Sequence, residues 1–250
     1  MARQRLGQHF LIRRSLLARL AEAACPQREP LVIEIGPGRG ALTEFLLERA
    51  ERVVAIEIDA ALARSLRARF RDVHRLEVVA ADVLATRLDQ WGPAVVAGNL
   101  PYYLTSPILE RIFEMGSLAR RAVVLVQEEV ARRLTALPGT RAYGYLTVRA
   151  NLVTTLEVLF TIPPSAFRPA PKVRSAAVRL TPRPGSGVSE PARFLEFASR
   201  CFRHKRKTLR NNLAPFYGAA VEAWPEARLR AEQLSLEQLR ELYGRIPSLY

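Results

Sequence analysis

The sequence predicts an α/β protein: a doubly wound, mainly parallel sheet that ends in an antiparallel strand, plus a small C-terminal helical domain. Three observations carry this. From about residue 31, short apolar runs alternate with amphipathic segments, the βαβ rhythm of a parallel sheet. Two later apolar runs, 152–160 and 173–180, follow one another without a long helix between them. A Pro/Gly/Ser-rich stretch, 181–187, then opens onto a purely helical pattern.

Each element has its own signal. The expected parallel strands are 31–35, 53–56, 76–80, 94–97 and 122–126, separated by helical segments such as 41–49 and 60–70. Runs 152–160 and 173–180 supply the antiparallel end of the sheet. Beyond the linker, 191–204, 205–216 and 236–243 carry helical periodicity. Ser235-Leu236-Glu237-Gln238 reads as a capping box that starts the last helix. The expected domains are 1–183, with an N-terminal arm over 1–14, and 184–250.

Composition narrows the class. At 250 residues and 49% hydrophobic content, the chain builds one sizeable core and a smaller appendage. Its 38 basic side chains outnumber 24 acidic ones, for a net charge of +14. Lys172, Lys205 and Lys207 are the only lysines, so arginine carries the excess, which suits bidentate phosphate contact. Cys25 and Cys201 are too isolated for a disulfide framework, and no His/Cys cluster has metal-ligand spacing, so no metal is expected. No apolar run has the roughly 18 residues of a membrane span, and the basic start lacks a signal core. A reduced, cytoplasmic compartment is expected.

The chemistry lies at the strand ends. The first strand runs into Glu34-Ile35-Gly36-Pro37-Gly38-Arg39-Gly40-Ala41, glycines that let backbone approach a ligand before a helix N-terminus. The string also satisfies G-x-G-x-x-A, so a dinucleotide fold competes at this point. Glu57 ends the second strand 21 residues after Gly36, where a carboxylate grips ribose hydroxyls. Asp82 follows the third strand, placed to accept from an adenine amine, although either acid equally suits a helix cap. The fourth strand ends in Gly98-Asn99-Leu100-Pro101-Tyr102-Tyr103. The Asn99 oxygen and a carbonyl at Leu100 or Pro101 offer two acceptors to an exocyclic amine, and Tyr102 offers a stacking face. An ordinary turn with two packing tyrosines fits the same residues.

Glycines, then Glu57, then Asp82, then Asn-Leu-Pro-Tyr: this order resembles the S-adenosylmethionine-dependent methyltransferases, with Glu34 favouring them over nucleotide oxidoreductases. Asn99-Leu100-Pro101-Tyr102 resembles the element of enzymes that methylate adenine N6. The arm Arg3-Gln4-Arg5-Leu6-Gly7-Gln8-His9-Phe10-Leu11 resembles the opening motif of the rRNA adenine dimethyltransferases, where it covers the cofactor. Val126-Gln127-Glu128-Glu129, Pro138-Gly139-Thr140, Tyr143-Gly144, the Phe167-to-Ser175 pattern F-x-P-x-P-K-V-x-S, and Arg206-Lys207-Thr208-Leu209-Arg210-Asn211-Asn212-Leu213 extend the match over nearly the whole chain. Tyr143-Gly144 and the Arg206-to-Leu213 motif favour the small-subunit branch over the large-subunit, antibiotic-resistance branch.

That resemblance implies a Rossmann-like fold and dimethylation of N6 on two adjacent adenosines in the 3′-terminal hairpin loop of 16S rRNA. It implies S-adenosylmethionine as cofactor, a small-subunit assembly intermediate as partner, ribosome biogenesis as the setting, and a monomer. Its cofactor contacts fall on His9, Leu11, Glu34, Gly36, Gly38, Glu57, Asp82 and Asn99. Its catalytic element falls on Asn99, Leu100, Pro101 and Tyr102, with Phe167 as a second face for the base. Two positions depart from the family pattern: His9 and Tyr103 each stand where Asn is usual. For RNA phosphates the expected contacts are Arg200, Arg203, His204, Lys205, Arg206, Lys207 and Arg210, a run without an acidic residue, with Arg3, Arg5, Arg13 and Arg14 of the arm as a second contact.

Overall fold

The apolar runs become strands because both of their faces are covered: Val32, Ile33, Val53, Val54, Val95, Val96, Val123 and Val124 are fully buried. At about 1.5–3 kcal/mol for each side chain removed from water, these strands form the main apolar store of the fold. The computed structural model describes residues 8–246, so the arm residues Arg3 and Arg5 lie outside it. In chain order the elements begin β1 (Phe10–Leu11), α1 (Arg14–Ala24), β2 (Glu29–Ile35), α2 (Ala41–Arg49), β3 (Ala50–Glu57), α3 (Ala60–Arg69) and β4 (Leu76–Ala80). They continue with β5 (Ala94–Asn99), α4 (Thr105–Glu114), β6 (Ala119–Gln127), α5 (Glu128–Leu134), α6 (Tyr145–Val153), β7 (Thr154–Ile162), β8 (Phe167–Arg168) and β9 (Ser175–Pro182). The chain closes with α7 (Pro191–Cys201), α8 (Leu209–Tyr217) and α9 (Leu236–Gly244).

The chain forms two compact units, Met1–Ala131 with Thr155–Pro182, and Arg132–Thr154 with Arg183–Tyr250. In the first, the strand order is β4-β3-β2-β5-β6-β9-β7. The pairs from β4 to β6 are parallel, and β9 runs antiparallel to β6. The chain leaves β2 on one side for β3 and β4, then returns on the other side for β5. That reversal opens a crevice beyond the carboxyl ends of β2 and β5, the usual ligand position in such sheets. Ile35 pairs with Gly98 at its edge. A Cβ on Gly98 would stand 2.5 Å from the Ile35 carbonyl oxygen, so the two strands meet here only because residue 98 has no side chain.

The second unit is helical, and its make-up differs from the expected 184–250. Tyr143, Val148 and Leu152 pack with Phe194, Phe197, Leu209, Leu213, Leu239 and Leu242 in one buried cluster. Segment 132–154 therefore contributes to this core although it precedes β7 in sequence; a linear boundary misses such a contribution. The strand expected from residue 152 starts at Thr154 because α6 continues through Val153, and the Thr154 hydroxyl donates to the Ala150 carbonyl at 2.7 Å. The capping box forms as read: Ser235 accepts from the Gln238 N–H and Gln238 accepts from the Ser235 N–H.

Candidate active site

The glycine loop after β2 is shaped around one carboxylate. Gly36 and Gly38 have φ of 68° and 57°, left-handed values that glycine adopts freely. This turns the Gly38 N–H onto Glu57 Oε2 at 2.9 Å, while Glu57 Oε1 accepts from the Asp59 N–H at 3.0 Å. Burial raises the Glu57 pKa and these two donors oppose the rise. The helix cap is a different acid: Asp59 accepts from Ala61 and Leu62 at the start of α3. Glu57 keeps its remaining lone pairs for a ligand.

Glu57 lines a cavity together with Gly36, Gly38, Asp82, Asn99 and Tyr102, walled by Ile35, Ile56, Ile58 and Val83. Asp82 Oδ1 is held by the Leu84 N–H at 2.9 Å. Two acceptor carboxylates beside an apolar slot, with a glycine loop at one end, suit a nucleoside: hydroxyls on Glu57, a flat base between the aliphatic walls, an exocyclic amine on Asp82. The residues present thus fit an adenosine-bearing cofactor.

Asn99 closes β5 and faces the same cavity. Its Nδ2 donates to the His9 carbonyl at 2.7 Å, which fixes the amide and leaves Oδ1 as its acceptor. Tyr102 begins a 3₁₀ turn, and its hydroxyl is 2.7 Å from Ser175 Oγ. Burial lifts the Tyr102 pKa, so the phenol stays neutral. The arm lies across the glycine loop: His9 Nδ1 bonds the Pro169 carbonyl at 2.8 Å, and the Phe10 ring sits where a Cβ on Gly38 would be.

The family model for ribosomal RNA adenine dimethylase matches residues 1–245. The chain belongs to this family. The dimethylase is 42% identical over 267 residues to the ribosomal RNA small subunit methyltransferase A of Koribacter versatilis, covering 97% of this chain and 93% of that relative. Its fold matches a dimethyladenosine transferase from Plasmodium falciparum with a TM-score of 0.80 at 24% identity, covering 95% and 98% of the two chains. It also matches the 23S rRNA methyltransferase ErmE with a TM-score of 0.73 at 31% identity, covering 95% and 99%.

Several expected residues of the dimethylase stand elsewhere. Phe167 does not reach the cavity: it is fully buried, packed in the core of the first unit and paired with Leu11 in the β1–β8 ladder. Leu11 is likewise a core side chain, 4% exposed, and it lines the cavity around Glu34 rather than the one around Glu57. The Pro101 carbonyl is already engaged, accepting from the Leu104 N–H at 3.0 Å and the Thr105 hydroxyl at 3.3 Å. Of the two carbonyls considered, that leaves Leu100. Glu34 lines a second cavity, which shares Phe10, Gly36 and Asn99 with the first. The Thr43 hydroxyl donates to Glu34 at 2.6 Å, and burial pushes its pKa up to about 8.

In the second unit the middle of the basic run, 202–208, is a loop rather than a helix, since α7 ends at Cys201 and α8 starts at Leu209; Arg200 and Arg210 stand on those two helices. Asn212 explains the break: buried in α8, it donates to the Cys201 and His204 carbonyls at 2.9 and 3.2 Å and accepts from the His204 N–H at 3.1 Å. The fold also brings acids to this run. Arg200 pairs with Glu196, Lys205 with Glu232 at 3.8 Å, and Arg210 with Glu222 at 2.9 Å. Among the described residues Arg203, Arg206 and Lys207 have no ion pair, and Arg203 lies over the Phe216 ring at 5.7 Å. Asn212 and Ser175 were not assigned roles in the sequence, although both stand inside motifs that carried the resemblance. No described helix is long and apolar enough to cross a membrane.

Proposed function

We propose that this dimethylase transfers methyl groups from S-adenosylmethionine to N6 of two adjacent adenosines in the 3′-terminal hairpin loop of small-subunit rRNA, in an assembly intermediate of that subunit. The observation that carries the reading is the Asn99 amide, pinned through its NH2 so that its oxygen is offered to an amine. S-adenosylmethionine, when bound, supplies an electrophilic methyl group. Glu57 and Asp82 would hold its hydroxyls and base amine, with Gly36, Gly38 and the backbone of the arm beside it.

Adenine N6 is a poor nucleophile because its lone pair is delocalised into the ring. Asn99 Oδ1 and the Leu100 carbonyl accept its two hydrogens and favour a pyramidal nitrogen whose lone pair points out of the ring plane. Tyr102 stacks one face of the base. Asn99 is no base at neutral pH, so its work is orientation and electrostatics, and the released proton goes to water. The adenosine must leave its stack to enter, at a cost of about a few kcal/mol that is smaller in a loop. Within the basic run, Arg203, Arg206 and Lys207 are the described cations without an ion pair, and they would meet phosphate.

The likeness to ErmE makes the large subunit the competing substrate. Unmodified small and large subunits, incubated separately with enzyme and S-adenosylmethionine, are digested and read by mass spectrometry. N6,N6-dimethyladenosine is expected in the small-subunit rRNA. Its confinement to the large subunit would overturn the assignment.

A further inference from the structure

The turn after β5 carries two tyrosines, and only the first is engaged within the protein. Tyr102 is half-buried, with its hydroxyl 2.7 Å from Ser175 Oγ. The His9 imidazole stacks on its ring, with centroids 5.5 Å apart and planes inclined by 28°, so one face of Tyr102 is already covered. Tyr103 lines the same cavity but is 58% exposed. Among the described residues, its side chain has no hydrogen-bonded or aromatic partner. We propose that Tyr103 is a stacking platform for the nucleotide beside the target adenosine. This rests on the adenine reading above and adds a second point of grip on the same strand.

The turn keeps the two rings apart in role. Tyr102–Leu104 is a 3₁₀ turn, in which successive side chains diverge by about 120°. The two rings therefore serve different partners. A single exposed ring elsewhere on a surface needs no explanation, but this one stands at the mouth of the cavity. Ile58, 50% exposed, is the other open apolar side chain there, and it already walls the nucleoside slot. RNA enters as a strand, so turning one adenosine into the slot brings its covalent neighbour to the mouth with one face unstacked. A phenol ring is the surface such a face prefers. Stacking is also tolerant of base identity, because every base has a π-face. That tolerance suits a site serving two adjacent adenosines, whose neighbours differ. Tyr103 stands at one place on the rim, so it meets the neighbour on one side of the target only.

The test uses full-length wild type, Tyr103→Phe and Tyr103→Ala, with thermal melting to confirm folding. The substrates are small subunits reconstituted with three rRNAs, made by ligating a synthetic 3′ fragment. One rRNA is intact. In the second, the first adenosine of the pair is abasic, so the remaining target lacks its 5′ neighbour. In the third, the second adenosine is abasic, so the target lacks its 3′ neighbour. On intact subunits Tyr103→Ala is expected to raise the RNA KM about tenfold, the scale of one lost base–aromatic contact, while Tyr103→Phe matches wild type. One abasic substrate should impose the same tenfold loss on wild type and cost Tyr103→Ala nothing more. On the other abasic substrate Tyr103→Ala should keep its full deficit. A deficit that persists on both abasic substrates or vanishes on both overturns the platform. So does a Tyr103→Ala that matches wild type, or a Tyr103→Phe that fails with it. If wild type methylates no adenine in the intact subunit, the adenine reading falls and this inference with it; an active wild type matched by Tyr103→Ala removes only Tyr103.

Discussion

Asn99 and His9 are joined by a hydrogen bond of 2.7 Å from the Asn99 amide to the His9 carbonyl, across 90 residues of sequence. The bond ties the end of β5 to the arm that crosses the glycine loop. An acceptor for the amine nitrogen therefore takes its orientation only when the arm is in place. Arm and strand form one device.

The pairing of β2 with β5 sets where that device stands. Replacing Gly98 with Ala puts a Cβ 2.5 Å from the Ile35 carbonyl oxygen, which is fixed backbone. Gly98→Ala is expected to lower stability by about 1–3 kcal/mol, the range for overpacking, and to depress methyl transfer as the crevice edge shifts. Chemical denaturation measures the first effect. An unchanged midpoint would mean that the two strands tolerate a wider spacing.

Glu34 makes stability fall with pH. Its pKa is raised to about 8 from 4.5, chiefly by burial, so the folded chain holds a proton that the unfolded chain releases above pH 4.5. Between pH 4.5 and about 8 this site removes stability as pH rises, with a ceiling of about 1.4 kcal/mol per unit, and adds no further pH dependence above that window. Glu34→Gln cannot ionise. The variant is expected to gain on wild type steadily from pH 5 to pH 8 in urea unfolding; parallel profiles would contradict the buried neutral acid.

The basic loop divides into paired and unpaired cations. Each phosphate contact contributes about 0.7–0.9 to the slope of log affinity against log salt. Removing Arg206 and Lys207 together is expected to lower the slope by about 1.4–1.8. Lys205→Ala should change it less, because Lys205 already faces Glu232 and donates to the Arg141 carbonyl. A slope unmoved by the double variant would place the phosphate contacts outside this loop.

The parallel strands and their ends were legible in the sequence because buried strands read as continuous apolar runs and chemistry sits at their carboxyl ends. Glu57, Asp82 and Asn99 line one cavity as their order implied. The burial of Phe167 was not legible in its motif, because it depends on the β1–β8 pairing across 156 residues. The helical reading of the basic run failed for a similar reason: the Asn212 side chain captures backbone groups of Cys201 and His204, and periodicity carries no trace of that. The His9–Tyr102 stack was out of reach because the two residues meet only once the arm has folded over the sheet.

The central claim is that Asn99 Oδ1 orients the amine that receives the methyl group. The direct test is single-turnover methyl transfer by Asn99→Ala to unmodified small subunits, with RNA affinity measured in parallel. A drop in rate of about 10²–10³ or more, as for loss of one preorganised polar group, with RNA affinity retained, is the predicted result. Turnover at the wild-type rate would contradict the account.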